Sequence, residues 1–177
     1  EKVIRARFPR HAILGEEDPE AHTARIAGDE FQWIIDPIDG TVNFSHGMRF
    51  WCCSVAVRRG SRVLAGAVYA PAMKELYTAV LNGPARLNGS RIRVSGVRRL
   101  AHAMVLTGLD KHVDSRLRPF GIFENISDNV QKSRILGSAA LDLCLVACGR
   151  ADGYFESGIY IWDVAAAGLI VQRAGGR

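Results

Sequence analysis

Two carboxylates three residues apart constrain this chain more than anything else in it. They stand in Trp33-Ile-Ile-Asp36-Pro37-Ile38-Asp39-Gly40-Thr41-Val-Asn43-Phe44. Trp33 to Ile35 reads as the end of a buried strand over residues 32–35. Pro37 has no N–H for a ladder and fixes its own φ, so the spacing predicts a turn at Asp36. Gly40 permits a close backbone approach or a positive φ. Thr41 is predicted to cap a short helix whose N–H groups face the carboxylates. Hard oxygen donors beside an anion-binding N-terminus suit Mg²⁺ plus phosphate. A bare D-x-x-D turn can also be a solvated Asx loop, so two further segments must decide.

The first is Ile13-Leu14-Gly15-Glu16-Glu17-Asp18, an apolar run ending in adjacent acids. The second is Gly158-Ile-Tyr-Ile-Trp162-Asp163-Val-Ala-Ala-Ala-Gly168. Each has a plain alternative. An acidic triplet is often a solvated loop, and an Asp in the first turn of an apolar helix is favoured by the macrodipole alone.

Together with Gly137-Ser138-Ala139-Ala140 and Asp152-Gly153-Tyr154-Phe155-Glu156, these segments resemble the inositol monophosphatase family. That family lies within the superfamily of Mg²⁺-dependent, Li⁺-sensitive phosphatases. The order and rough spacing of the pieces match along the whole chain. The D-P-I-D-G-T-x-N-F match is very specific, W-D-x-A-A moderately so, and G-E-E alone is weak. Where the family usually carries Gly-Ala, this chain has Pro84-Ala85, in a predicted surface turn.

The resemblance implies an α/β layered fold, an αβαβα sandwich. It implies one Mg²⁺ held by Glu16, Asp36 and the backbone carbonyl of Ile38. A second would be held by Asp36, Asp39 and Asp163, and a third near Glu16. Glu16 is preferred over Glu17 because the family ligand is the first Glu after Gly. The catalytic candidates are Thr41, Asp39 and Glu16, with Thr41 orienting or deprotonating the attacking water. The family's upstream acid that completes this relay is missing from these residues. The N–H groups of Gly40 and Thr41 would grip phosphate. Asp39, the Ala139 backbone and Glu156 would contact the alcohol hydroxyls. Glu156 has a strand-end charge as its alternative, and Ser138 is either a ligand or a helix cap.

The 177 residues suffice for one sizeable core or two small lobes. The expected division is a single catalytic domain with an antiparallel-sheet half over residues 1–100 and an α/β half over residues 101–177. The resemblance also places helices before Glu1 and a strand and helix after Arg177, so the chain reads as the central part of a longer protein. Hydrophobic content of 48% with 23% charged residues is ordinary for a globular chain. No apolar run approaches the ~18–20 residues of a membrane span.

Cys52, Cys53, Cys144 and Cys148 lack the spacing of a zinc site and read as free thiols in a reducing cytoplasm. The histidines (His11, His22, His46, His102, His112) show no ligand spacing. No Ser or Cys sits in a nucleophile elbow, which favours metal-activated water.

The net charge of +5 is carried by arginines, at Arg58-Arg59-Gly-Ser-Arg62 and from Arg86 to Arg99. No aromatic residues interleave them, which argues against nucleic acid. The expected partners are a small anionic phosphomonoester and, by resemblance, a second copy of the chain in a homodimer.

Along the chain, helices are expected at residues 2–8, 138–148 and 162–173. Strands are expected at residues 11–14, 52–58, 63–69, 75–80, 103–107 and 153–156, with a hairpin turn at Asn88-Gly89. Glu20 to Ile26 reads as helix or loop, and 109–132 as one helix with loops.

The leading function is hydrolysis of inositol monophosphate or a related polyol or sugar phosphate. Histidinol-phosphate, fructose-bisphosphate or nucleotide-bisphosphate hydrolysis is the close alternative. A regulatory RNA- or protein-binding role for the basic face is the alternative of another class.

Overall fold

Strict alternation of buried and open positions organises the first half of the chain. The computed structural model describes residues 1–18, 28–109 and 119–177. Strand β2 (Phe31–Asp39) turns Gln32, Ile34, Asp36 and Asp39 inward. Its neighbour β3 (Cys52–Arg59) does the same with Cys52, Ser54, Ala56 and Arg58. Period-2 burial of this kind means one face of a sheet packs against a core.

The sheet has seven strands in chain order: β1 (Ala12–Gly15), β2, β3, β4 (Arg62–Ala70), β5 (Glu75–Val80), β6 (Arg86–Leu87) and β7 (Ser90–Arg91). All pairs are antiparallel except β1 with β2, so an antiparallel meander runs from β2 to β7. Asn88 (φ 48°) and Gly89 (φ 83°) make the expected hairpin turn.

The second sheet is wholly parallel: β8 (Met104–Thr107) lies between β9 (Lys132–Ile135) and β10 (Gly153–Phe155). Parallel strands need crossovers, and helices supply them. α3 (Pro119–Asn129) leads into β9, and α4 (Ala139–Ala147) joins β9 to β10. The last helix, α5 (Ile161–Arg173), runs beside α4 on the inner face of the large sheet. At the N-terminus α1 (Lys2–Arg7) is a short helix without buried residues.

The main core joins Ile34, Val68 and Tyr77 of the sheet to Leu141 and Cys144 of α4 and Ile170 of α5. Each large apolar side chain buried this way contributes roughly 1.5–3 kcal/mol. Helix α5 crosses the sheet at Gly66, where a Cβ would come within 2.8 Å of the Ala166 Cα. The outer face of the same sheet carries half-open apolar residues, Phe31, Tyr69, Leu76 and Val80 among them.

Three expectations are corrected. The chain does not turn at Asp36: β2 continues to Asp39, and the pairing with β3 slips between Asp36 and Asp39. That irregularity admits the exposed Pro37, whose missing N–H would break a regular ladder. Secondly, β9 was not expected within 109–132 or after it. Lys132-Ser-Arg-Ile is mostly exposed, and only pairing with β8 makes it a strand. Thirdly, Arg58 is not part of a basic surface. It is 4% exposed and donates to Gln32 Oε1 at 2.9 and 2.5 Å. The segment Glu20 to Ile26, residues 110–118, His22 and His112 lie outside the described residues.

Candidate metal centre

The pairing slip in β2 puts two acids on one face. Asp36 and Asp39 are both inward and almost inaccessible. Asp36 Oδ1 accepts the Ile38 N–H at 2.9 Å, within the stretch where the pairing slips. Gly40 follows with φ +90°, a conformation glycine adopts without strain. A Cβ there would also press on the Gly137 carbonyl at 3.0 Å.

Gly40 is the N-cap of α2 (Thr41–Ser45), and Thr41 is its first residue rather than its cap. The Thr41 hydroxyl donates instead to the Ile38 carbonyl at 2.9 Å. The expected capping role fails because the left-handed turn at Gly40 moves the helix start one residue earlier.

Asp39 is held from α4. Its Oδ2 accepts the Ser138 hydroxyl at 2.6 Å and the Ala140 N–H at 2.7 Å, and its Oδ1 accepts the Ala139 N–H at 3.3 Å. Asp39 thus does for α4 what an N-cap side chain usually does, bonding N–H groups that the helix leaves unpaired. Ser138 occupies the cap position itself, but its hydroxyl is spent on Asp39. The Ala139 N–H likewise faces Asp39, so a substrate contact through the Ala139 backbone would need its carbonyl.

Asp163 comes from α5. Its Oδ2 accepts the Tyr160 N–H at 2.6 Å within a capping box. Asp163 therefore starts the helix and also stands in the acidic cluster. Asp36, Asp39 and Asp163 each offer a carboxylate oxygen within 4.8 Å of the others. Glu16, just past β1, lines the cleft beside Asp39 and Asp163. Glu17 is exposed.

Like charges at such spacing oppose ionisation. Burial raises the Asp36 carboxyl, and Asp39, Glu16 and Asp163 raise it further. Burial pushes Asp163 up to about 7 against the cap bond from Tyr160, and Asp39 and Glu16 add to the rise. Asp39 is also raised by burial, opposed by its bonds to Ser138 and Ala140. A divalent cation would reverse this pattern, and carboxylate oxygens are the donors that Mg²⁺ prefers. The residues present therefore fit such an ion.

The cleft, about 350 Å³ in volume, is also lined by Glu156. The Tyr154 hydroxyl donates to Glu156 Oε2. Gly108 makes room for it, since a Cβ there would come within 1.9 Å of Oε1. Sequence reasoning missed Tyr154 and Gly108 in this role. It also missed Asn43, whose Nδ2 donates to the Phe50 carbonyl at 2.8 Å and the Leu136 carbonyl at 2.7 Å. Asn43 ties α2 to the loop before α4. Its place in the long motif was the one available signal.

The cysteines are all free thiols. Cys52 lies behind the site, its Sγ 3.6 Å from Asp39 Oδ2.

Fold and site together define a layered mixed α/β protein with a triad of acids at the junction of its two sheets. The chain belongs to the inositol monophosphatase family, which it matches over residues 1–177. It is 43% identical to the Nus factor SuhB of Pasteurella multocida and 40% identical to the inositol monophosphatase of Dictyostelium discoideum. Each alignment covers 99% of this chain and 65% of the relative, so the chain spans just under two thirds of these proteins. The solved inositol monophosphatase from Anabaena superposes with a TM-score of 0.88 at 36% identity, covering 99% of this chain and 69% of that one.

Proposed function

We propose that the chain carries the catalytic centre of a Mg²⁺-dependent phosphomonoesterase acting on inositol monophosphate or a related polyol phosphate. The observation that carries this reading is the triad Asp36, Asp39 and Asp163, with carboxylate oxygens within 4.8 Å of one another. The family and the relative named inositol monophosphatase support it.

Glu16, Asp36, the Ile38 carbonyl, Asp39 and Asp163 would hold two or three ions. Bound Mg²⁺ supplies charge neutralisation at the phosphoryl oxygens and a lowered pKa for bound water. The protein's own groups do the rest. Thr41 spends its hydroxyl proton on Ile38, which leaves its oxygen lone pairs to orient a water molecule. The N–H groups at Gly40 and Thr41 would contact phosphate oxygens. Asp39, Ala139 and Glu156 would receive the alcohol, with Glu156 held in place by Tyr154. A homodimer in the cytoplasm belongs to the same reading.

The test is phosphate release from myo-inositol 1-phosphate, histidinol phosphate, fructose 1,6-bisphosphate and adenosine 3′,5′-bisphosphate, with and without Mg²⁺, beside Asp36→Asn. Mg²⁺-dependent release that falls at least a hundredfold in the variant is expected, since metal-ligand loss removes several kcal/mol. Release that survives Asp36→Asn would sink the proposal.

A second reading rests on the relative named a Nus factor and on the exposed Arg86, Arg91, Arg93, Arg98 and Arg99. In it, the basic segment binds a macromolecular partner. A salt-dependent RNA mobility shift unchanged by Asp36→Asn would favour it.

A further inference from the structure

One buried polar atom stands outside the machinery described so far. Asp142 lies in the first turn of α4 and is 1% exposed. Its Oδ1 is buried without a hydrogen-bond partner among the described residues. The side chain lines the same cleft as Asp39, Glu156 and Asp163.

Buried carboxyl oxygens are ordinarily paired, and an unpaired one opposes folding. A leucine such as its neighbours Leu141 and Leu143 would avoid that. Burial, with Asp39 and Glu156 adding to it, pushes this carboxyl up to about 8. Protonated or not, a carboxyl keeps an oxygen able to accept. Glu156, which lines the same cleft, is laid over Gly108 and held by Tyr154. Two acids from separate elements thus converge on one cleft, one of them fixed and the other lacking a donor.

We propose that Asp142 is a specificity-determining residue whose Oδ1 accepts a hydrogen bond from a hydroxyl of the leaving alcohol. With Glu156 it selects polyol phosphates over esters whose alcohol carries no donor. The inference rests on the phosphomonoesterase reading. An ammonium group could satisfy the same oxygen, so the test separates the two donors.

Steady-state kinetics with Mg²⁺ would compare the full chain with Asp142→Ala and Asp142→Asn. The substrates are myo-inositol 1-phosphate, phosphoethanolamine and p-nitrophenyl phosphate. Losing one substrate hydrogen bond should raise KM for the inositol ester roughly tenfold in Asp142→Ala. KM for the nitrophenyl ester should stay within about twofold, because that alcohol makes no such bond. Asp142→Asn keeps an acceptor and should restore the inositol value.

Equal changes on both esters, or none, would overturn the proposal, as would a loss confined to phosphoethanolamine that Asp142→Asn fails to restore. If the parent hydrolyses none of the three, the phosphomonoesterase reading fails by itself. Phosphorus NMR line broadening of myo-inositol 1-phosphate then decides the role of Asp142. Weaker broadening in Asp142→Ala than in the parent supports it, and equal broadening overturns it.

Discussion

Asp39 shows how much one side chain can be asked to do. It stands among the clustered acids, it bonds the N–H groups at the start of α4, and it receives the Ser138 hydroxyl. Removing that hydroxyl leaves a buried carboxylate with one donor fewer. Ser138→Ala should therefore cost about 1.5–3 kcal/mol of stability, the range for a hydrogen bond to a charged group. In the proposed metal site such a supporting bond would orient Asp39, so Mg²⁺ affinity should fall about 10–100-fold. Thermal melts and calorimetric titration would measure the two effects, and unchanged affinity would refute the positioning role. The sequence pointed to the acids themselves, since each sits at a recognisable local boundary of strand or helix. Nothing local pointed to Ser138 as their support, because its partner is 99 residues away. Asn43, reaching 93 residues to Leu136, escaped for the same reason.

Among the elements, those with strong periodicity were the legible ones. Strands β3 to β5 and helices α4 and α5 fall within a residue or two of where apolar patterning puts them. β9 was illegible because its side chains are mostly open and its identity lies in backbone pairing with β8. The full extent of β2 is not legible in the sequence because a proline ordinarily ends a strand, whereas here a slip in pairing absorbs it. The contact between β4 and α5 was also invisible, although it sets how near the helix can lie. Gly66→Val would drive a side chain into the backbone at Ala166, with its Cβ within 2.8 Å of the Cα. Overpacking of that kind costs about 1–3 kcal/mol or more. A melting temperature lowered by several degrees is expected, and since α5 carries Asp163, Mg²⁺ affinity should fall with it. Gly168→Ala, on the same helix with nothing within 4 Å of its Cβ, is the neutral control.

For the molecule as a whole, the raised carboxyls make stability depend on pH in a definite direction. Asp163 is pushed up to about 7 and Asp142 to about 8, from an ordinary 3.8. The folded, metal-free chain therefore holds protons that the unfolded chain has released. Their stabilising effect is complete below about pH 4 and is lost as pH rises through 7 and 8. The melting temperature of the metal-free protein should fall between pH 5 and pH 8. For a chain of this size each kcal/mol is worth about 2–4 °C. Mg²⁺ should reverse the fall at pH 8 and have less effect at pH 5, where it competes with protons. A melting temperature that rises with pH in the absence of metal would contradict this account.

The same centre has a consequence for the order in which the protein comes into being. Asp36 and Asp39 are made early, but the amides that grip Asp39 come a hundred residues later, and Asp163 later still. A nascent chain holding only the first two acids has neither the clamp nor the third acid. An ion that needs all three can be captured only once synthesis has passed residue 163 and α5 has docked, so its capture would time-stamp the completion of this unit on the ribosome.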